Sequence, residues 1–431
     1  MTTGLIGFAV VLALAFLGVP LGFAMLLTGL VGFALLRGVE PALAMMGQQV
    51  IDGSFNYGLS VLPMFILMGA FIHRSGVSDE LYDTAQAWLG HLRGGLAHAT
   101  VAACALFGMI SGSSLAAAAT MSRVAIPQMR RRGYGDGFAS GCVASSGVLG
   151  MLIPPSVPLM IYGLIADQDI RKLFIAVSVP GVMVALFFVL AIIAYGWLFP
   201  REVPAGDPPP PLRERFRALK GVSWTLVLFF IVIGGMYAGM FTVTEAAGIG
   251  CLGALVIAQA RGRLGWKGLM AAAIEAGRTT GMLFLIIFGA MVFTAFINLS
   301  GFAGLLGEWV QGLGMERIGV LVSIALLYLL LGCVLETLGL MLLTVPIFLP
   351  IVVEMGISPI WFGVFLIMMV EVGQLTPPVG MNVLTVKSMV PDISAAKIFR
   401  GTIPFLVFNL IAVALIVAFP AIVLAPLRWL G

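Results

Sequence analysis

The stretch Gly150–Ser156, GMLIPPS, sets two adjacent prolines inside an otherwise apolar run, and Gly373–Val379, GQLTPPV, repeats the arrangement 223 residues later. A proline supplies no backbone N–H and its ring clashes with the preceding turn, so a helix breaks there. Carbonyl oxygens around Gly150–Leu152 and Gly373–Leu375 are therefore expected to lose their helical partners. Working outward at nearly the same offset, GAFIHRSG (69–76) falls on TAFINLSG (294–301) and IPQMRRRG (126–133) on LPIVVEMG (349–356). Asp169-Ile170 falls on Asp392-Ile393. Four matches in one order predict an internal duplication.

The chain has 431 residues, 61% of them apolar and 10% charged, with a mean hydropathy of +1.11. Soluble domains carry about 25% charged residues, so a water-exposed globular fold is excluded. A crossing takes about 20 apolar residues, which leaves room for about ten. Ten-residue alternation, the mark of a transmembrane β-barrel, is missing. The expected fold is an all-α polytopic membrane protein. Two apolar runs, 95–127 and 316–353, are too long for one crossing and broken midway, so they read as re-entrant hairpins; 137–165 and 359–390 read as broken helices. On that assumption only Arg37, Arg171, Lys172, Arg317 and Arg428 of the 23 Lys and Arg fall on one side. The crowded side is then cytoplasmic and both termini lie outside. Counting either hairpin as a single crossing mixes the charges.

PAGDPPPPLRERFRALK, within 201–221, reads as a semi-rigid cytoplasmic linker between a first repeat, 1–200, and a second, 222–431. Each half is expected to hold five crossings and one hairpin, and an odd number of crossings inverts the second copy. Inverted repeats with discontinuous helices are the architecture of secondary transporters, with sites near mid-membrane. The chemistry is expected at the hairpin tips facing the breaks: Gly112, Ser113 and Ser114 in the first, Glu336, Thr337 and Gly339 in the second. Hydroxyl and carbonyl oxygens suit an alkali cation such as sodium better than a transition metal. Ser111 and Thr337 also fit ordinary capping or helix packing. Glu336 and Glu371 are ionisable groups inside apolar segments and hence functional candidates, although Glu371 equally fits a buried structural acid. His73 and Arg74 read as snorkelling residues.

Other functions lack support. Cys104, Cys142, Cys251 and Cys333 sit singly in apolar runs, and the three His lack metal spacing. No P-loop, Ser-His-Asp or HExxH constellation is present, so an enzyme is not expected, and nothing signals nucleic-acid binding. The N-terminus lacks the basic region of a secretory signal, so its first apolar segment is expected to be retained.

GMISGSSLAAAAT (108–120), LGMLIPPSVPLMIYG (149–163), GCVLETLGLMLLTVPIFLP (332–350) and GQLTPPVGMN (373–382) together resemble the large, DctM-like membrane subunit of tripartite ATP-independent periplasmic (TRAP) transporters. The resemblance implies a bacterial inner-membrane importer driven by two or more sodium ions, moving a small organic acid anion by an elevator mechanism. It also implies two partners, a periplasmic substrate-binding protein and a small four-helix membrane subunit, the latter expected as a separate chain. Carried over by position, one sodium site would use Ser113, Ser114, Gly150 and Pro154, and another Glu336, Thr337, Gly373, Thr376 and Pro377. This sequence departs from many relatives in having Ala117 at an acidic position and Glu336 at an Asp. The competing readings are a self-sufficient anion or sodium/proton exchanger without a binding protein, and a non-transporting membrane scaffold.

Overall fold

A computed structural model describes residues 2–206, 208–312 and 314–430, and the described residues contain helices and connections but no strand. The first half runs α1 (Thr2–Phe16), α2 (Leu21–Arg37), α3 (Val39–Ser54), α4 (Val61–Arg74) and the amphipathic α5 (Val77–Leu89). Next come α6 (Gly95–Ser111) and α7 (Ser114–Arg131), α8 (Asp136–Gly147) continued by α9 (Leu149–Leu152), then α10 (Val157–Ile165) and α11 (Ile170–Leu198). The second half runs α12 (Leu212–Phe229), extended by a π turn into α13 (Gly235–Tyr237), then α14 (Val243–Ala260), α15 (Trp266–Leu299) and α16 (Phe302–Gly312). It continues with α17 (Arg317–Gly332), α18 (Thr337–Glu354), α19 (Pro359–Leu375), α20 (Met381–Met389) and α21 (Ala395–Ala418), and ends in α22 (Ala421–Leu424) and α23 (Pro426–Leu430). The starts of α6, α7, α10 and α11 recur in α17, α18, α20 and α21 at offsets between 222 and 225.

Local chemistry sets these limits. Gly112 takes a left-handed φ of +59° that stops α6, and the Ser113 hydroxyl then accepts from Ala116 N at 3.4 Å to start α7. Asp169 and Ser394, near-equivalent by position, cap α11 and α21 through side-chain bonds to Arg171 N, Lys172 N and Lys397 N. The diprolines end α9 and α19; the α8–α9 segment and α10 diverge by 42°. Among the described residues, seven helical segments are long and apolar enough to cross a membrane, eight if that bent pair is one span. Five apolar helices of 10–17 residues accompany them among the described residues.

The halves interlock. α15 lies along α2, α14 along α4, α12 along α5, and α21 along both α8 and α11. Small residues permit the closest approaches: a Cβ added to Gly289 would stand 2.2 Å from the Gly22 carbonyl oxygen, and one on Gly141 2.1 Å from Gly401. Phe188 and Phe405 meet edge to face at 5.5 Å across α11 and α21. The expected linker 201–221 is only partly extended. It is helical from Leu212 onward, where Thr84 and Trp88 of α5 donate to the Ala218 and Arg215 carbonyls. Its earlier part is tied down by Gly94 N to Pro204 O (3.2 Å), Gly135 N to Glu202 O (3.1 Å) and a fully buried Val203. Asp207 lies outside the described residues.

Where the ends of α7, α8 and α21 meet, Arg130 pairs with Asp136 (2.8 Å) and with Asp392, and Lys397 reaches Asp136 at 3.2 Å. The Arg130 guanidinium holds the Asp392 carboxyl below the usual carboxylate range. Burial pushes Asp136 up, but its bonds to Lys397 and Arg130 outweigh that and leave it lowered. A depressed carboxylate contributes stability above the unfolded value near pH 4 and loses it as the pH falls through the folded value. Thermal unfolding followed from pH 7 to pH 3 should therefore show a steeper acid loss in the natural protein than in Arg130→Gln. Parallel curves would mean the pairs carry no folding energy.

Candidate functional site

The two hairpin tips meet in one place. Each second limb begins at a capping position with oxygen to offer, Ser113 before α7 and Glu336 before α18. Glycine brings each first limb onto the broken helix of its own half. A Cβ on Gly108 would stand 2.5 Å from Gly150 Cα, and one on Gly373 would stand 2.8 Å from Gly332 Cα. These crossings lie beside the proline breaks, so each tip is held against a break. One on Gly150 would sit 2.8 Å from the Ser113 carbonyl oxygen.

Ser111, Gly112, Ser113, Ser114, Glu336 and Thr337 line a single cavity of about 590 Å³. Its opposite wall comes from α4 and α15, through Ile66, Gly69, His73, Glu275 and Thr279. Arg123, on α7, also faces it, and its guanidinium pairs with no carboxylate among the described residues. The Glu336 side chain is likewise without a hydrogen bond or ion pair among the described residues. Arg74, at the end of α4, is engaged by Glu275 at 2.7 Å.

The expected site residues divide by what surrounds them. Ser113, Ser114, Glu336 and Thr337 converge on the cavity, and Gly150 and Pro154 are buried behind the first tip. The second group is less convergent. The Thr376 hydroxyl donates to Gly373 O at 2.9 Å and Thr376 N donates to the same oxygen at 3.1 Å, so that carbonyl is already satisfied. Pro377 is exposed, and neither it nor Thr376 lines the cavity. The second tip is instead fixed by Gly380 N donating to Cys333 O at 2.9 Å. Both Glu371 oxygens are fully buried without a partner among the described residues, as are both polar atoms of the Asn409 side chain.

Two residues overlooked in the sequence join the halves. Ser114 Oγ donates to Gln374 Oε1 at 3.0 Å, Gln374 Nε2 donates to Thr337 Oγ1, and Thr337 Oγ1 donates to Met151 Sδ at 3.5 Å. The offset of 223 that places Ser114 on Thr337 also places Met151 on Gln374, a signal that was available. Arg123 gave no such signal, because it counted only as one of many charges on the basic side.

Among the described residues the arrangement supplies oxygen ligands, a solute-sized cavity and no catalytic constellation. Comparison with known proteins agrees. Residues 8–422 match the family model described as the tripartite ATP-independent periplasmic transporter, DctM component. The C4-dicarboxylate TRAP transporter large permease protein DctM of Pseudomonas aeruginosa is 36% identical over 89% of both chains. The sialic acid TRAP transporter large permease protein SiaM of Vibrio cholerae is 34% identical over 97% of both. The ectoine TRAP transporter large permease protein TeaC of Halomonas elongata is 30% identical over 96% of this chain and 97% of its own. In fold, the chain is similar to the YdaH transporter of Alcanivorax borkumensis, with a TM-score of 0.66, 90% of each chain covered and 14% identity. The relatives are permease subunits and not enzymes, and the apolar helices make this a multi-pass membrane protein. The chain belongs to the DctM-component family of tripartite ATP-independent periplasmic transporters.

Proposed function

We propose that this chain is the sodium-driven large permease subunit that carries a small organic acid anion across the bacterial inner membrane, working with a periplasmic binding protein and a separate small membrane subunit. The observation that carries the reading is the convergence of Ser113, Ser114, Glu336 and Thr337 on one cavity between the hairpins and α4 with α15. Sodium held by tip oxygens closes both hairpins, and the unpaired Glu336 carboxylate supplies counter-charge. C4-dicarboxylate, sialic acid and ectoine, which name the relatives' substrates, all carry a carboxylate. The Arg123 guanidinium facing the cavity suits such a group. Each net positive charge moved inward gains about 2.3 kcal/mol per 100 mV, so two sodium ions with a monoanion drive accumulation.

The recurrent helix limits support an inverted-topology duplication with about ten crossings. The cavity's position between two groups of helices supports an elevator, in which the hairpin-bearing helices slide against the α2–α4 and α14–α15 frame. The test is uptake into proteoliposomes with both partner proteins. Transport should require an inward sodium gradient, and Ser113→Ala with Thr337→Ala should raise the half-saturating sodium concentration at least about tenfold, the equivalent of 1.4 kcal/mol. Uptake that ignores sodium overturns the coupling; uptake without a binding protein favours the self-sufficient exchanger.

A further inference from the structure

The geometry points to Gln374 as a positioning residue that makes the two hairpin tips open and close as one. Its side-chain amide reaches both tips: the carbonyl accepts from Ser114 of the first hairpin and the NH₂ donates to Thr337 of the second. Thr337 in turn donates to Met151 Sδ. Ser114, Met151, Thr337 and Gln374 are each no more than 4% exposed, so water cannot replace a lost bond without the tips parting.

The brace crosses between halves. Ser114 and Thr337 correspond at an offset of 223, and so do Met151 and Gln374. Each tip hydroxyl thus meets the residue just after the glycine crossing of the other half's broken helix. The correspondence is chemically uneven. A thioether accepts only weakly and donates nothing, whereas the amide does both. Among the described residues Gln374 alone therefore binds both tips by hydrogen bonds, and opening either one breaks a bond in the chain that holds the other. For the transport cycle proposed above, a cation that closes one tip also favours closure of the second, which makes occupancy of the two sites cooperative.

Hydrogen–deuterium exchange on the full-length chain in lipid nanodiscs tests this without relying on transport. Gln374→Met, which places at 374 the side chain found at its counterpart 151, should speed amide exchange of residues 112–118 and 335–341 together, by about five- to tenfold. Ser114→Ala should speed the second tip as well as its own. Met151→Gln adds an amide on the second side of the crossing and should slow both tips, an effect that general damage to the fold does not produce. Exchange that changes only at the mutated hairpin, or both tips at natural rates in Gln374→Met, overturns the brace. The proposal concerns the same tips as the function proposed above but does not depend on sodium. Sodium-independent uptake with coupled exchange removes the sodium reading alone, and uncoupled exchange with sodium-dependent uptake removes the brace alone.

Discussion

Gly108→Ala is expected to abolish uptake, whereas Gly332→Ala, its counterpart in the second half, is expected to leave it within about twofold of the natural rate. The two glycines occupy matching crossings, but with different clearances. A Cβ on Gly108 meets Gly150 Cα at 2.5 Å and Gly150 N at 3.0 Å, and backbone on both sides cannot yield. On Gly332 the nearest atom is Gly373 Cα at 3.4 Å, an ordinary contact. Forcing a methyl into the first crossing costs about 1–3 kcal/mol of folding energy and, more importantly, moves the Ser113 tip away from the break beside Gly150. Initial uptake rates normalised to folded protein, with thermal midpoints alongside, check both. Equal behaviour of the two variants would show that the tips do not need these crossings.

Glu371→Leu is expected to raise thermal stability and reduce uptake at least tenfold. The carboxyl is fully buried in α19, and neither oxygen has a partner among the described residues. Leaving such a group unpaired costs about 1–3 kcal/mol, and removing it recovers energy of that order. A polar group kept at such expense inside an apolar segment, beside the Gly373 crossing, is a functional candidate, and the expected loss of uptake rests on that reading. A melting curve and an uptake assay on the same preparation separate the outcomes: a higher midpoint with full transport would reduce Glu371 to a tolerated structural acid.

The breaks and tips were legible because their cause is local. Proline removes a donor wherever it sits, so GMLIPPS and GQLTPPV announce the ends of α9 and α19 without tertiary information. The apolar run 95–127 holds the helix pair α6 and α7, and the run 316–353 holds α17 and α18, to within a few residues. The surroundings of Thr376 and Pro377 differ from the expectation for an equally local reason. The carbonyl counted as vacant at Gly373 is served by the hydroxyl and N–H of Thr376, three residues on. The bond from Ser114 to Gln374 spans 260 residues and depends on how the halves interlock, which no window of sequence contains. The cavity is hidden for the same reason, since its walls come from α4, α7, α15 and α18.

The interlocking of α2 with α15, α4 with α14 and α8 with α21 has a consequence for biogenesis. While the ribosome is still translating the second half, the first has inserted but lacks the surfaces against which its glycine-lined faces close. The nascent protein must wait in the bilayer with those faces turned to lipid, and it matures only when late helices thread between early ones. The two halves are not modules in tandem but a single body that neither can complete by itself.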